Sequence, residues 1–290
     1  MRLAMVSGDW HLGEHDPAAL GIFFEAVLQH QPEKIVLLGD ILDCTSLYKA
    51  DRGKVRPLSP YRNPLRMIEE VLLARSLVAA LRGIAPKAEI LFMEGNHEFR
   101  WARDVSEFAA PLAEFVPSLP VALQLEEQGI RWVGAKQLYY LDEWMLKHGH
   151  RTNTHAGRSS LLESGRSVIQ GHTHRLKVYA QTFEDGRQVW GLEAGHLRCT
   201  KAGYMELSTP DWQQGWVTLA RSGSLWLPNL CPIVQGRCVC MGVDVSNGAA
   251  KGKVLMRNAQ QQIYKQHRDV IQKVCEGRLG EFKSLFGGNR

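Results

Sequence analysis

Five short blocks of acids, histidines and an asparagine, each beside a glycine, contain the residue types that bind divalent metal ions. In chain order the blocks are Asp9-x-His11, Gly39-Asp40-x-x-Asp43, Gly95-Asn96-His97-Glu98, His148-Gly149-His150 and Gly171-His172-x-His174. Carboxylate, amide and imidazole donors together suit transition metals. Two ligands that are two residues apart in an extended segment can point the same way and bind one ion. The spacing therefore predicts metal chemistry that draws on several segments.

The second block follows the apolar run 35–38, which indicates a buried strand. A carboxylate at the end of a buried strand is costly unless a cation compensates its charge. An isolated acid in this place would be interpreted as a turn residue, and a lone histidine as a surface or core residue. The same pattern recurs after residues 3–7 and after residues 89–93, however. Three occurrences favour metal or acid–base chemistry over turn chemistry.

The predicted elements bring these blocks to one edge of a sheet. A strand over 3–7, a helix over 17–30 and a strand over 35–38 form a βαβ unit, so the sheet begins with parallel strands. Ligands collect at the carboxyl ends of such strands, where Asp9 and Asp40 would lie. The periodicity also predicts helices over 64–83, 99–115 and 154–163, and strands over 89–93, 130–134, 144–147, 168–170, 178–183, 188–192, 216–220, 224–227 and 237–241.

In their residues and order, the five blocks resemble the calcineurin-like metallophosphoesterase superfamily over about residues 1–175. The resemblance implies an α/β fold, namely a four-layer α/β/β/α sandwich of two mixed sheets with a dinuclear metal site at the strand ends. It implies that one ion is held by Asp9, His11, Asp40 and His174, and the second by Asp40, Asn96, His148 and His172. Mn²⁺ is the first expectation for both ions, with Fe, Zn²⁺ and Ni²⁺ as alternatives.

The resemblance also assigns roles to the remaining residues of the blocks. Asp40 would bridge the ions, because one carboxylate between two dications offsets their repulsion. His97 resembles the histidine that protonates the leaving group or stabilises the charged phosphorane. Either histidine of the fourth block could be the ligand; His148 is preferred, and His150 would then lie near the substrate. Supporting or substrate-binding roles are expected for Asp43, Glu98, Arg100 and His150, with Glu98 or another acid orienting His97.

The implied activity is hydrolysis of phosphate esters by a hydroxide that bridges the two ions. Protein Ser/Thr phosphatases of the superfamily have arginines at two positions where this chain has Cys44 and Glu94, which disfavours that class. Segments 42–47, 94–100 and 210–215 are more similar to bacterial and phage phosphoesterases of the DNA-repair exonuclease-like type. The leading prediction is a phosphodiesterase acting on nucleotides or nucleic acid. The alternative is a small-molecule phosphomonoesterase or nucleotide hydrolase, and an inactive scaffold is least favoured because all seven ligand positions are filled.

Positive charge is concentrated at the C-terminus and in one internal segment. Residues 251–290 contain nine Lys or Arg and three Asp or Glu, although the whole chain has a net charge of only +5. The irregular segment 48–66 is also basic and follows Asp43 closely, so we expect it to form a phosphate-attracting rim. We predict a phosphoesterase domain over 1–248 and a basic helical tail over 249–290. Rim and tail would suit a polyanionic partner such as nucleic acid.

The overall composition is that of a globular protein outside a membrane. Hydrophobic residues make up 44% and charged residues 22%, which excludes disorder throughout. The longest apolar runs are shorter than the ~18 residues that a spanning helix needs, so we expect a cytoplasmic protein. Six cysteines are too few for a disulfide scaffold in a chain of 290 residues. Cys238 and Cys240 are expected to pack in the core rather than to bind zinc.

Overall fold

Two mixed β-sheets face each other and carry helices on their outer faces. The computed structural model describes residues 2–44, 64–108, 116–135, 137–200 and 210–275. The helices are α1 Pro17–His30, α2 Pro64–Ile84, α3 Phe99–Phe108, α4 Leu119–Ala122, α5 Ala156–Ser164 and α6 Gly248–Cys275. The strands are β1 Leu3–Ser7, β2 Lys34–Leu37, β3 Glu89–Met93, β4 Ile130–Val133, β5 Tyr139–Leu141, β6 Trp144–Lys147, β7 Val168–Gln170, β8 Leu176–Thr182, β9 Gln188–Ala194, β10 Gly215–Ser222, β11 Leu225–Pro232, β12 Val239–Cys240 and β13 Val243–Asp244.

The strand orders bring parallel strands to the centre of both sheets. The first sheet has the order β11-β10-β1-β2-β3-β4, with β1 to β4 parallel and β10 antiparallel to β1. The second has the order β5-β6-β7-β9-β8, with β6, β7 and β9 parallel. Together with the helices, these sheets form the α/β/β/α sandwich that the family resemblance implied.

Alternation along the strands divides the core into two parts. Leu3 and Met5 of β1 pack towards the helices, whereas Ala4 and Val6 pack towards the second sheet. Because both faces of β1 to β3 are covered, the strands are apolar at consecutive positions rather than alternating, apart from a polar or charged residue at one end of each. The layer between the sheets, which includes Trp144 and Ile169, fixes how the edges of the two sheets meet.

The end of α6 points towards the edge of the first sheet where β1, β2 and β3 end. Gly248 lies against Gly21 of α1, and Gly252 lies against Pro17, so the two helices run antiparallel. A Cβ atom on Gly252 would be 2.1 Å from the carbonyl oxygen of Pro17, which requires glycine at this contact. Lys251 Nζ also donates to Glu25 Oε2 at 2.7 Å. Since α1 begins at the carboxyl edge of β1, the later turns of α6 extend in that direction.

Most predicted elements agree with the structure to within one or two residues. The strand predicted over 224–227 continues to Pro232 as β11, and the helix predicted over 99–115 is described only as far as Phe108, because residues 109–115 lie outside the described ranges. The elements β5, β13 and α4 were not predicted, since two- to four-residue elements have too little periodicity. Cys238 and Cys240 are both buried, as expected for core packing. The side chains of the basic segment 48–66 lie outside the described residues, and the division of the chain at residue 248 stays a prediction. Within the described part of the chain, no helix combines the length and apolar character needed to cross a membrane.

Candidate metal centre

The ends of β1, β2 and β3 meet the ends of β6 and β7, and all five sequence blocks lie there. Several of the residues at these ends have left-handed backbone conformations that are uncommon outside glycine. They are Asp9, His11, Asp40, His172 and His174, with φ of 53°, 49°, 51°, 69° and 58°. Such conformations cost of order 1–3 kcal/mol each and cluster at functional sites, where the surrounding structure enforces them.

One group of possible metal donors consists of Asp9, His11 and His174, all buried. The Nε2 atoms of His11 and His174 are 3.0 Å apart, and His174 Nε2 is 3.3 Å from Asp9 Oδ1. Among the described residues, Asp9 Oδ1 is buried and accepts no hydrogen bond. A buried carboxylate oxygen that faces two imidazoles and lacks a donor is suited to a cation.

A second group consists of Asp40, His148 and His172. His148 Nε2 is 3.1 Å from Asp40 Oδ2 and 3.0 Å from Asn96 Oδ1. His148 Nδ1 donates to the carbonyl oxygen of Leu38 at 2.9 Å, which leaves Nε2 free to act as a metal ligand. Asp40 also belongs to a third group, with His11 and His97, and therefore lies between the other two groups. The nitrogen and oxygen donors of the first two groups, with ligand atoms in each group lying within 4.8 Å of one another, fit two divalent cations.

The protonation of these residues reflects the same concentration of negative charge. Burial alone would lower the pKa of His11, but hydrogen bonds to Asp43 and Asp9 raise it to about 9. Burial also opposes a charged His148, whereas the charge of Asp40 raises its pKa to about 10. Although burial disfavours their charge, the pKa values of Asp9 and Asp40 are lowered by the neighbouring histidines. Protons on His11 and His148 thus balance charge that metal ions would otherwise balance.

Asp43 and Glu98 position the metal donors in different ways. Asp43 Oδ1 lies 2.9 Å from His11 Nδ1, which directs the Nε2 atom of His11 towards His174. Glu98 was a candidate for orienting His97, but the structure places its carboxylate elsewhere. Its two oxygens accept hydrogen bonds of 2.7–3.0 Å from the backbone N–H groups of Asp40, Ile41, Leu42 and Gly95. Burial and the charge of Asp40 raise the pKa of Glu98 to about 7, and Glu98 holds two of the ligand loops together.

His97 is held through its backbone and its ring at the same time. Its N–H group donates to Asp40 Oδ1 at 2.8 Å, and its Nδ1 lies 2.5 Å from the carbonyl oxygen of Asp43. Arg100 Nη1 donates to the same carbonyl oxygen at 3.2 Å. The Nε2 atom of His97 is therefore directed to the Asp40 side of the ring, 3.7 Å from Asp40 Oδ2. Burial is the main cause that lowers the pKa of His97 to about 4.

The two histidines of the fourth block lie in different environments. His148 is buried within the second donor group, whereas His150 is exposed and belongs to none of the donor groups of the described residues. Both line a cavity of about 440 Å³ beside Asn96. The cavity is also lined by the apolar side chains of Met93, Phe99, Leu138 and Met145 and by the charged side chains of Glu94, Lys147 and Glu163.

Sequence reasoning missed three residues beside the first donor group. His196, Arg198 and Trp212 surround His174, whose ring centroid is 4.4 Å from that of Trp212 and 5.4 Å from that of His196. A signal was present, because Gly195-His196 follows the strand β9 much as the other glycine-containing blocks follow theirs. Trp212 lies in segment 210–215, which the family resemblance had singled out without giving it a role.

Comparisons with known proteins identify the family to which the chain is similar. The model of the calcineurin-like phosphoesterase family matches residues 3–176. The Gene 54 proteins of Mycobacterium phages L5 and D29 are 29% and 28% identical over 219 residues, which is 71% of this chain and 84% of each relative. Among solved structures, a single mutant of Vps29 from Entamoeba histolytica has 16% identity and a TM-score of 0.43, and it covers 83% of this chain and 98% of its own. A conserved uncharacterized protein of Streptococcus pneumoniae, described as a predicted phosphoesterase, has 11% identity and a TM-score of 0.35, and the match covers 80% of this chain and 89% of that protein.

Proposed function

We propose, from the premise that this chain belongs to the calcineurin-like phosphoesterase family and is a metal-dependent phosphoesterase, that its substrates are phosphodiesters of nucleotides or nucleic acid. The direction of α6 is the observation that carries this proposal. Residues 248–275 contain six Lys or Arg and one Asp, and the helix extends towards the edge of the first sheet that bears the metal centre. A long polyanion bound at the centre could therefore also contact α6.

We assign two metal ions to the centre, with Mn²⁺ as the first candidate. The proposed ligands of one ion are Asp9, His11, Asp40 and His174, and those of the other are Asp40, Asn96, His148 and His172. When bound, such ions activate water and neutralise the phosphoryl oxygens. Asp43 and the carbonyl oxygen of Leu38 orient the rings of His11 and His148 for this task.

We assign His97 to the leaving group. Its Nδ1–H group faces the carbonyl oxygen of Asp43, so Nε2 is the atom that faces the departing oxygen or the charged phosphoryl group. Because the pKa of His97 is lowered to about 4, Nε2 would act as a donor only after it takes up a proton during the reaction. Arg100 supports this arrangement because it shares the Asp43 carbonyl oxygen. His150 and the cavity of about 440 Å³ beside Asn96 would receive the organic part of the ester.

The second candidate is a small-molecule phosphomonoesterase or nucleotide hydrolase. The same cavity favours it, since its mixed apolar and charged lining can accept one nucleoside-sized group without any contact to α6. The two candidates differ in whether charge on α6 matters. An inactive scaffold is least supported, because every predicted ligand residue is present and lies at the centre.

A substrate panel separates the candidates. Purified protein is assayed with Mn²⁺, Zn²⁺, Ni²⁺ or Fe²⁺ against an aryl monoester, an aryl diester, cyclic nucleotides, and single- and double-stranded DNA and RNA. We expect cleavage of the diester and of at least one nucleic acid, with a KM for nucleic acid that rises steeply with salt. Cleavage of monoesters alone would contradict the proposal and favour the second candidate.

Charge variants of α6 test whether its basic residues contribute to the binding of nucleic acid. The variant replaces three exposed basic residues of α6 by glutamine: Lys253, Arg257 and Lys265. We expect KM for nucleic acid to rise by about tenfold or more at low salt, with the aryl diester unaffected. The matched control replaces three exposed basic residues near the opposite edge of the first sheet: Arg2, Lys87 and Arg131. Equal effects of the two triple variants would show that only the net charge matters.

A further inference from the structure

We infer that the loop 195–198, through Arg198, binds the phosphoryl oxygens of the substrate. This inference rests on the proposed function and deepens it by naming a residue that recognises the phosphate. Arg198 lies three residues beyond Gly195, at the end of β9, next to the strand β7 that leads into His172 and His174. The backbone of the loop is joined to the metal centre, because Leu197 N–H donates to the carbonyl oxygen of Asp9 at 3.2 Å.

The guanidinium group of Arg198 is buried and has no directly bonded anion among the described residues. Arg198 is 4% exposed, and its Nε atom has no hydrogen-bond partner. Within the described ranges the side chain forms no ion pair, and its Cζ atom lies 5.3 Å from the centroid of the Trp212 ring. A guanidinium group stays charged at any physiological pH, and burial of a charge is costly unless an opposite charge and hydrogen bonds compensate it. A cation–π contact compensates only part of that cost.

A second donor on the same loop also lacks an acceptor. Arg198 N–H donates to His196 Nδ1 at 3.2 Å, so the hydrogen of this imidazole is on Nε2. His196 is 0% exposed, and in the described part of the chain no acceptor lies within reach of its Nε2. Two buried donors without acceptors on one loop match an oxyanion better than they match a cation or an apolar group.

The surroundings place these donors beside the first group of metal ligands. Trp212 contacts both residues: its ring centroid is 5.3 Å from Arg198 Cζ and 4.4 Å from the centroid of His174. The charge of Arg198 contributes to lowering the pKa values of Asp43 and His174, which requires proximity to both. A phosphate ester bound at the first group of metal ligands would thus lie close to the guanidinium group of Arg198.

Arginines with a structural role look different in this protein. Arg82 donates to the carbonyl oxygens of Gln128, Ala88 and Gly129 at 2.7–2.9 Å, and Arg175 pairs with Glu193 at 2.9 Å. Arg198 has no comparable set of acceptors among the described residues. The backbone of Arg198 is nevertheless fixed, since Gln214 Nε2 donates to its carbonyl oxygen at 2.9 Å. Its position is therefore determined while its guanidinium group has no direct ion pair among the described residues, as expected for a ligand-binding arginine.

The test compares Arg198→Met with Arg82→Met, which removes a structural arginine. In urea denaturation of the substrate-free protein, we expect Arg198→Met to be as stable as the natural protein or more stable, whereas Arg82→Met loses stability. The inhibition constant of inorganic phosphate should rise about 10- to 100-fold in Arg198→Met and remain unchanged in Arg82→Met. Metal content should be the same in all three proteins.

Two further readouts separate substrate binding from an indirect effect. Guanidinium ion at low millimolar concentration should restore part of the lost rate to Arg198→Ala, and Arg198→Lys should keep more phosphate affinity than Arg198→Met. Unchanged phosphate inhibition in Arg198→Met, or a loss of stability equal to that of Arg82→Met, would overturn the inference. Because inorganic phosphate and both aryl esters report on Arg198, the inference can hold even if the substrate panel shows no cleavage of nucleic acid.

Discussion

The two sheets bring different chemistry to the metal centre. The first sheet contributes oxygen donors and one imidazole, which are Asp9, Asp40, Asn96 and His11, whereas the second contributes only imidazoles, which are His148, His172 and His174. Glu98 fixes the loops of the first sheet through four backbone N–H groups. His148, by contrast, is oriented by a carbonyl oxygen of the opposite sheet, and His174 Nδ1 has no partner in the described residues. We call the donors from the first sheet the acidic half of the centre and those from the second sheet the imidazole half. The acidic half is therefore organised by contacts within its own loops, whereas the imidazole half depends on how the two sheets pack.

The largest effect should come from removing the carboxylate that both halves share. We expect Asp40→Asn to lower kcat/KM by about 10³-fold or more, because Asp40 belongs to two donor groups and opposes the charge of His148. Steady-state kinetics and metal analysis by mass spectrometry check this. Asp185→Asn, in an exposed turn, is the control. Full turnover by Asp40→Asn would show that the Asp40 carboxylate is not needed at the metal centre.

A smaller effect is expected from one imidazole of the second sheet. His172→Ala should weaken binding of one of the two ions by about 10²-fold while the other ion still binds, since His172 belongs only to the second donor group. Calorimetric titration with Mn²⁺ measures both affinities. His150→Ala removes an exposed histidine two residues after His148 and should leave both affinities unchanged. Equal losses in the two variants would mean that His150 is also a ligand.

The pH dependence should run in opposite directions for metal binding and for metal-free stability. The folded-state pKa values of His11 and His148, about 9 and about 10, exceed the ordinary value of 6.5. Metal must displace these protons, so affinity should rise about tenfold per pH unit for each proton displaced below pH 9. A raised pKa stabilises the fold below pH 6.5, and this stabilisation is lost as the pH rises through 9 to 10.

Urea denaturation of chelator-treated protein at pH 6.5 and pH 9.5 measures how the metal-free stability depends on pH. Titration with Mn²⁺ over the same range measures how the metal affinity depends on pH. Greater metal-free stability at the higher pH would contradict the proposed protonation of the two histidines. Asp40→Asn serves as the comparison, because loss of the carboxylate should reduce the dependence.

The smallest effect tests whether the imidazole half depends on sheet packing. Ile169→Val removes one methyl group from the fully buried layer between the sheets, three residues before His172. We expect a loss of about 1 kcal/mol in the free energy of unfolding and a few-fold weaker metal binding. Val178→Thr, on an exposed position of β8, should change stability by less than about 0.5 kcal/mol. Unchanged metal affinity in Ile169→Val would indicate that the second sheet is as locally organised as the first.

Much of the acidic half could be predicted from sequence, and less of the imidazole half. Strands β1 and β3 were predicted at their observed bounds, and Asp9, Asp40 and Asn96 follow their strands directly. The role of Glu98 was not predicted, because its acceptor function depends on backbone N–H groups more than 50 residues away in the chain. His148 was preferred to His150 as the ligand although both follow the same strand, and their different burial and partners are properties of the fold.

The sequence by itself determined the donor types, the strands that carry them and the family, because apolar runs that end in glycine and polar residues are local features. Only the tertiary structure decided which atoms meet. His11 and His174 are 163 residues apart, and their contact depends on the packing of one sheet against the other. The burial of Arg198 beside Trp212 and the direction of α6 likewise arise from long-range packing. Such contacts have no local pattern, because burial and proximity are properties of the whole fold.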